Sequence, residues 1–247
     1  LPAAAPTSAI DAETAQRWHL RRYGFHGTSH EFVSRRTADV LGRPYDELNQ
    51  IVLHLGNGAS ASAIEAGRAA DTSMGLTPLE GLVMGTRPGD LDPGLIIHLI
   101  RDRGMAPEDV STLLNRRSGL EGLAGARDFR ELLAGVDDDD EAATLAYDVV
   151  IHRLRRYIGG YWAVLGRVAA ITFTAGVGEN VARLRADALA TLGDWGVQID
   201  PEANENGSGE RLISTPDSRV KVLVVPTDEE LAIARACDVV LGLGPAD

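Results

Sequence analysis

Cysteine is almost absent: Cys237 stands alone in 247 residues. No intramolecular disulfide can form, and nothing points to an oxidising compartment, so a cytoplasmic protein is expected. Long apolar runs are missing as well, and none reaches the length of a bilayer-spanning helix, so no membrane association is expected. The opening residues, Leu1-Pro2-Ala3-Ala4-Ala5-Pro6, hold no basic segment followed by an apolar core, which excludes a secretory signal at that place. They also lack an initiator Met, which suggests a fragment of something longer. Positive charge is in deficit, with 24 Lys and Arg against 36 Asp and Glu and a net charge of −12. That argues against a nucleic-acid surface, and any anionic ligand must be held by local cations. Gly-x-x-x-x-Gly-Lys-Ser/Thr does not occur, which excludes a P-loop at the level of motif.

What is present is ordinary in bulk and unusual in detail. A hydrophobic share of 44% with 24% charged residues provides for a sizeable core in one large domain or two small ones. Residues 1–10 are rich in Pro and Ala and read as an extended arm. Asp11 is placed to cap a helix over 12–18. Two glycines flank Phe25-His26, predicting a tight and unusual backbone there, and Thr28 or Ser29 could cap a helix over 31–41 that Gly42 and Pro44 end. Residues 49–53 and 59–64 read as two strands joined through Gly56-Asn57-Gly58. Asn and Gly tolerate the positive φ of a tight hairpin, and so bare a tip lets phosphates approach its N–H groups. A third strand is expected over 68–71. Glycines and prolines punctuate Thr72–Pro93 and rule out a long regular element, and long ordered loops of this kind are usually functional. Pro93 and Pro107 each open a helix. A loop over 118–125, a short helix over 127–134, a long helix over 141–167, a buried strand over 168–173, a helix over 181–192, a strand over 221–225 and a helix over 228–241 complete the reading. The fold class is α/β with a mixed sheet.

Four constellations could carry chemistry, and each has a plain structural alternative. Gly176-Val177-Gly178-Glu179-Asn180 lies between a strand and a helix, as a phosphate-binding turn or a packing turn would. It is not the dinucleotide fingerprint, because Val181 stands where a third glycine is needed. His26 and His30 share a four-residue spacing that suits a metal on a helix, but Gly27 between them and the missing Glu favour capping or phosphate contact. Arg87, between Gly85 and Gly89, is placed to fork onto a carboxylate or phosphoryl oxygen, or is a surface loop residue. Glu229 and Glu230 open the last helix as dipole partners or as carboxylates for Mg²⁺. Phosphoryl transfer would unite all four, because it needs positioning and charge neutralisation more than covalent chemistry.

The strings Tyr23–His30, His54–Ser60, Asp71–Gly75, Thr77–Leu82, Met84–Arg87, Asp90–Pro93, Thr174–Asn180 and Pro226–Glu230 occur in this order. Together, from about Arg21 to about Arg235, they resemble the acetokinase (acetate kinase) family of short-chain acyl kinases. The resemblance implies an actin-like, sugar-kinase-like (ribonuclease H-like) ATPase domain, a mixed sheet flanked by helices. It makes residues 1–20 an arm and inter-domain segment and residues 21–247 the second of two domains. The first domain, which would carry a phosphate-binding stretch with a Mg²⁺-linked Asn, a substrate-binding Arg and a catalytic Asp, is not expected in this chain. The implied activity is reversible transfer of the ATP γ-phosphoryl group to acetate, giving acetyl phosphate and ADP. By the same resemblance His26 and Arg87 are transition-state stabilisers. His54, Leu55, Gly56, Asn57 and Gly58 form a nucleotide-phosphate loop. Asp128, Phe129 and Arg130 contact the adenosine, as do Gly176, Val177, Gly178, Glu179 and Asn180. Glu229 is linked to Mg²⁺, with Mn²⁺ as a substitute. Pro88 stands where Ser is common, and Ala124-Gly125-Ala126 where serines are usual. A homodimer through this domain is implied. The alternatives are a propionate or butyrate kinase, and a truncated non-catalytic domain that binds nucleotide or dimerises.

Overall fold

Asp11 accepts a hydrogen bond from Thr14 N and caps α1 (Ala12–Trp18), as its place in the sequence suggests. The structure, a computed structural model, describes residues 1–242, so residues 243–247 of the expected second domain lie outside the described residues. The arm before α1 is turned rather than extended. Ala5 N donates to Pro2 O and Thr7 Oγ1 to Ala3 O, and Thr7 then bridges to Arg21. The next helix, α2 (Gly27–Leu41), starts earlier than expected. His26 occupies its cap position in left-handed backbone, φ 57°, so Thr28 and Ser29 fall inside the first turn. Gly42 ends it, as expected, at φ 60°.

The hairpin pairs β1 (Gln50–Leu55) with β2 (Ala59–Glu65), and β3 (Arg68–Thr72) adds antiparallel to β2. Residues 73–92 then run without helix or strand as far as α3 (Pro93–Arg101), and α4 (Pro107–Arg116) follows. The expected loop over 118–125 is in fact helical, α5 (Gly119–Ala124). Leu120 N donates to Met84 O and Glu121 N to Gly85 O, and these tertiary bonds override the poor helix propensity of its glycines. Asp128 caps α6 (Phe129–Asp137), and Asp140, the last of the four-aspartate run, caps the long α7 (Glu141–Leu165). After β4 (Ala170–Thr174), the expected turn is instead a six-residue helix, α8 (Ala175–Asn180), followed by α9 (Ala182–Leu189). The unforeseen α10 (Pro201–Glu205) and β5 (Arg211–Leu212) precede β6 (Lys221–Val224) and α11 (Glu229–Val240).

The strands form one sheet in the order β3-β2-β1-β4-β6-β5. β1, β4 and β6 are mutually parallel, and the outer pairs are antiparallel. Side chains alternate across the sheet. Ile51, Leu53, Ala61, Ile171, Phe173 and Val222 face the larger core, where α7 supplies Val150, Leu154 and Ile158. Val52, Ile64, Ala170 and Leu223 face the smaller cluster around Val33 of α2. On that second face the strands near the tip carry small polar groups, with His54 and Ser60 paired in register. This is the face that receives the start of α2, so it sets where His26 can lie.

Candidate active site

The β1–β2 tip closes with Gly56 N donating to Gly58 O at 3.0 Å. None of Gly56, Asn57 and Gly58 takes a left-handed φ, so the conformational reason expected for this Asn-Gly turn does not apply. The bareness of Gly58 does. A Cβ there would lie 3.1 Å from Arg87 Nη2 and 3.6 Å from His26 Nε2. Three segments far apart in sequence therefore meet around one backbone atom.

Each partner is held from behind. The His26 ring stacks on His54, centroids 4.1 Å apart and planes 15° apart. Its Nδ1 is 2.8 Å from Ser60 Oγ, and the same oxygen is 2.7 Å from His30 Nε2. His54 Nδ1 is 2.8 Å from Ser29 Oγ, which accepts from Thr227 Oγ1 at 2.8 Å. Thr227 lies two residues before Glu229, so the chain leading into α11 is tied to the imidazole pair. Burial keeps His26 below the usual histidine pKa, Glu229 opposes that shift, and Arg87 adds to it. The charge of Glu229 is thus felt at His26, although the two lie in segments some 200 positions apart in the chain.

Arg87 Nη1 donates to Pro78 O at 2.6 Å, and the guanidinium forms no ion pair among the described residues. Its loop is braced across the base. Arg153 donates to Gly81 O and Asp90 O, Tyr157 OH bonds both Asp90 carboxylate oxygens at 3.0 Å, and Gly81 N donates to Asp90 Oδ1. Gly119, at φ 62°, packs so closely on the Arg87 backbone that a Cβ would lie 2.7 Å from Arg87 O. Substitution there would combine left-handed strain with a backbone clash.

An open groove runs on from the tip. Gly56, Asn57, Asp128, Phe129, Arg130, Gly176, Val177, Glu179 and Asn180 all line it, together with Arg183 and Arg211. The groove thus holds several arginines in a chain of net charge −12, of which Arg130 and Arg183 pair with Asp128 and Asp137. Leu55 belongs to the larger core and lines a cavity with Gly56, Asn57, Asp128 and Phe129, while His54 is buried beneath His26 and Gly178 against Phe173. Arg130 pairs with Asp128 at 2.7 Å while Asp128 caps α6, so this segment is ordered by its own contacts. His26 Nδ1 and His30 Nε2 both bond Ser60 Oγ instead of converging on an open site. A single carboxylate at Glu229 still suits Mg²⁺ that arrives with phosphate oxygens and water.

Residues the sequence did not single out do much of the positioning. Ser60 joins two imidazoles, and Arg185, 1% exposed, binds the α8 carbonyls of Gly178 and Glu179. Nothing in the pattern Ala182–Leu189 marks Arg185 as buried.

The buried rings predict acid sensitivity. Burial, then the neighbouring His54 and His26, push His30 down to about 3; burial, then His26, push His54 down to about 4. Unfolded, both would bind protons near pH 6.5. Between these values the unfolded chain holds more protons than the fold. Stability therefore falls as pH drops from about 6.5 towards 4, by up to about 1.4 kcal/mol per pH unit for each ring. Urea midpoints between pH 7 and pH 5 should drop more steeply for the unsubstituted chain than for His54→Gln. Equal slopes would contradict the assignment.

A gap faced by a guanidinium and an imidazole, opening on a groove with further arginines, suits the oxyanion end of a longer ligand. Comparison with known proteins gives this arrangement a family. The chain belongs to the acetokinase family, whose model matches residues 1–235. An acetate kinase of Corynebacterium jeikeium is 60% identical over 238 residues, which make up 95% of this chain and 59% of that protein. The crystal structure of the Porphyromonas gingivalis acetate kinase superposes with a TM-score of 0.94 at 42% identity, over 98% of this chain and 61% of that one. A propionate kinase from Francisella tularensis gives a TM-score of 0.88 at 38% identity, over 95% and 60%. The chain thus spans about 60% of the length of the relatives it matches. The fold is the α/β domain with a mixed sheet flanked by helices that the resemblance implied, and it is shared with these kinases. No described helix is long and apolar enough to cross a membrane.

Proposed function

We propose that this chain is the nucleotide-holding, phosphoryl-stabilising domain of an acetate kinase. The full reaction is reversible transfer of the ATP γ-phosphoryl group to acetate. The observation that carries the reading is the convergence of His26 and Arg87 on bare Gly58 at the mouth of the groove. An acetate oxygen attacks the γ-phosphorus, the bond to the β–γ bridging oxygen breaks, and ADP leaves with that electron pair. The equatorial oxygens carry the charge of the loose transition state, and N–H donors at His26 and Arg87 meet them. Gly56–Gly58 leaves room for the phosphates, while Asp128–Arg130 and Gly176–Asn180 flank the nucleoside. Glu229 would hold Mg²⁺, or Mn²⁺, which neutralises phosphate charge. The acceptor-side Arg and catalytic Asp are assigned by the family resemblance to a first domain.

The α3 helix buries none of its residues and exposes Leu95, Ile97 and Ile100. Such a surface supports a homodimer through this domain. A single, exposed thiol at Cys237 fits a cytoplasmic setting.

By itself the chain should bind nucleotide. Calorimetric titration with MgADP tests this, and saturable one-to-one binding is expected. Gly58→Val, whose side chain would enter the gap beside Arg87 and His26, should weaken it at least about tenfold. No binding by the unsubstituted chain would overturn the proposal.

A further inference from the structure

We propose that Ser60 and His30 are positioning residues that fix the proton of His26. His30 Nε2–H donates to Ser60 Oγ, Ser60 Oγ–H donates to His26 Nδ1, and the His26 proton is held on Nε2, beside Gly58 and Arg87. The functional meaning of this relay rests on the phosphoryl-transfer reading of His26, but the tautomer itself can be read without activity.

Ser60 Oγ lies 2.8 Å from His26 Nδ1 and 2.7 Å from His30 Nε2. A hydroxyl has one proton and two lone pairs, and accepting from both rings would leave that proton buried with no other acceptor among the described residues, so Ser60 donates to one ring and accepts from the other. Two arrangements of neutral rings satisfy both bonds, and they run in opposite directions. His30 decides between them. Its Nδ1 is sealed from solvent and has no hydrogen-bond partner. If Ser60 donated to His30, the His30 proton would sit on that Nδ1 as a buried N–H without an acceptor, at a penalty of about 1–3 kcal/mol. Buried orphan N–H groups are among the rarest features of native folds. In the opposite direction the His30 proton is used at Nε2, and only a lone pair is left unpaired at Nδ1. Charging His30 would put the same orphan N–H on Nδ1, and its burial among imidazoles holds its pKa to about 3.

The His26 side agrees. Its Nε2 is the nitrogen nearest the space over Gly58, and no described residue bonds to it. Arg87, on the same gap, has donors only. With the relay in this direction the gap presents N–H groups from both sides and no acceptor, which selects an anionic oxygen. With the relay reversed, His26 would show a lone pair to the same oxygen and repel it. The stacked His54 ring restrains the imidazole plane, so the direction of the N–H bond is set along with the proton.

Nitrogen-15 NMR of the histidine-labelled chain at pH 8, where the rings are neutral, tests the proposal, with His26→Gln used for assignment. His26 should show a protonated Nε2 and an unprotonated, hydrogen-bonded Nδ1, without tautomer averaging. Ser60→Ala should move both nitrogens towards the averaged shifts of a free imidazole. His30→Gln, whose amide N–H can take the place of Nε2–H, should keep the unsubstituted pattern, whereas His30→Met should lose it. A proton on His26 Nδ1 in the unsubstituted chain would overturn the proposal, as would a Ser60→Ala spectrum with His26 unchanged. The Ser60→Ala and His30→Gln arms suffice if His30→Met does not fold. A wrong tautomer alongside MgADP binding would refute the relay alone. The expected tautomer without MgADP binding would refute the nucleotide reading alone.

Discussion

Arg87→Ala is expected to lower kcat by about a hundred- to a thousandfold while leaving the KM for ATP within about threefold. The assay uses this chain joined behind the first domain of the Corynebacterium jeikeium relative, with which it shares 60% identity. The asymmetry follows from the geometry. One guanidinium nitrogen is tied to Pro78 O and another lies 3.1 Å from where a Gly58 Cβ would be. Desolvation lowers the pKa of Arg87, and among the described residues it has no carboxylate partner, so its charge is unquenched in a partly dry site. Such a donor acts most on charge that develops at the γ-phosphoryl in transit. Ground-state ATP is held along the rest of the groove. Arg87→Lys should recover only part of the loss, because a point charge cannot reproduce the fork that Pro78 holds. A raised KM with kcat unchanged would move Arg87 from transition-state stabilisation to simple binding.

Arg185→Met is expected to destabilise the fold by about 3–5 kcal/mol and to weaken nucleotide binding as well. Arg185 Nε donates to Asn204 Oδ1, Nη2 to Asn204 O, and Nη1 to Gly178 O and Glu179 O, all within 3.0 Å. Burial, with Arg211 nearby, lowers its pKa to about 10, which still leaves it charged at neutral pH. Methionine fills much of the volume but leaves buried carbonyls at the end of α8 without donors. Because α8 carries Gly176–Asn180, the groove loosens where the nucleoside is proposed to lie. Urea unfolding gives the stability change and MgADP titration the binding change. A loss below about 1 kcal/mol would show that the carbonyls find other partners.

The contrast between these two arginines shows what the sequence could reveal. Arg87 stood out because it lies between glycines in a loop too irregular to be scaffold. Arg185 sits in an unremarkable helical pattern, and its burial depends on α10, a five-residue helix that no periodicity announces. The hairpin, the central strands and α7 were legible because apolar runs bounded by Gly or capped by Asp carry their own local signal. The helical character of 119–124 was not, since it comes from bonds to Met84 O and Gly85 O across the fold. Alternation placed Ser60 and Ser62 on one face of β2, but only the docking of α2 brings His26 and His30 to Ser60. At the tip the residues were legible and the reason was not. Glycine is required at position 58 for lack of a side chain rather than for a positive φ.

The central claim is that this chain supplies the phosphoryl-stabilising half of an acyl kinase cleft. Hydroxylamine trapping of acyl phosphate, with ATP, Mg²⁺ and acetate, tests it most directly. The joined protein is expected to form acetyl hydroxamate steadily, and residues 1–247 alone should form little or none. Absence of hydroxamate from a folded, MgADP-binding joined protein would contradict the account, as would turnover by residues 1–247 alone at the rate of the joined protein.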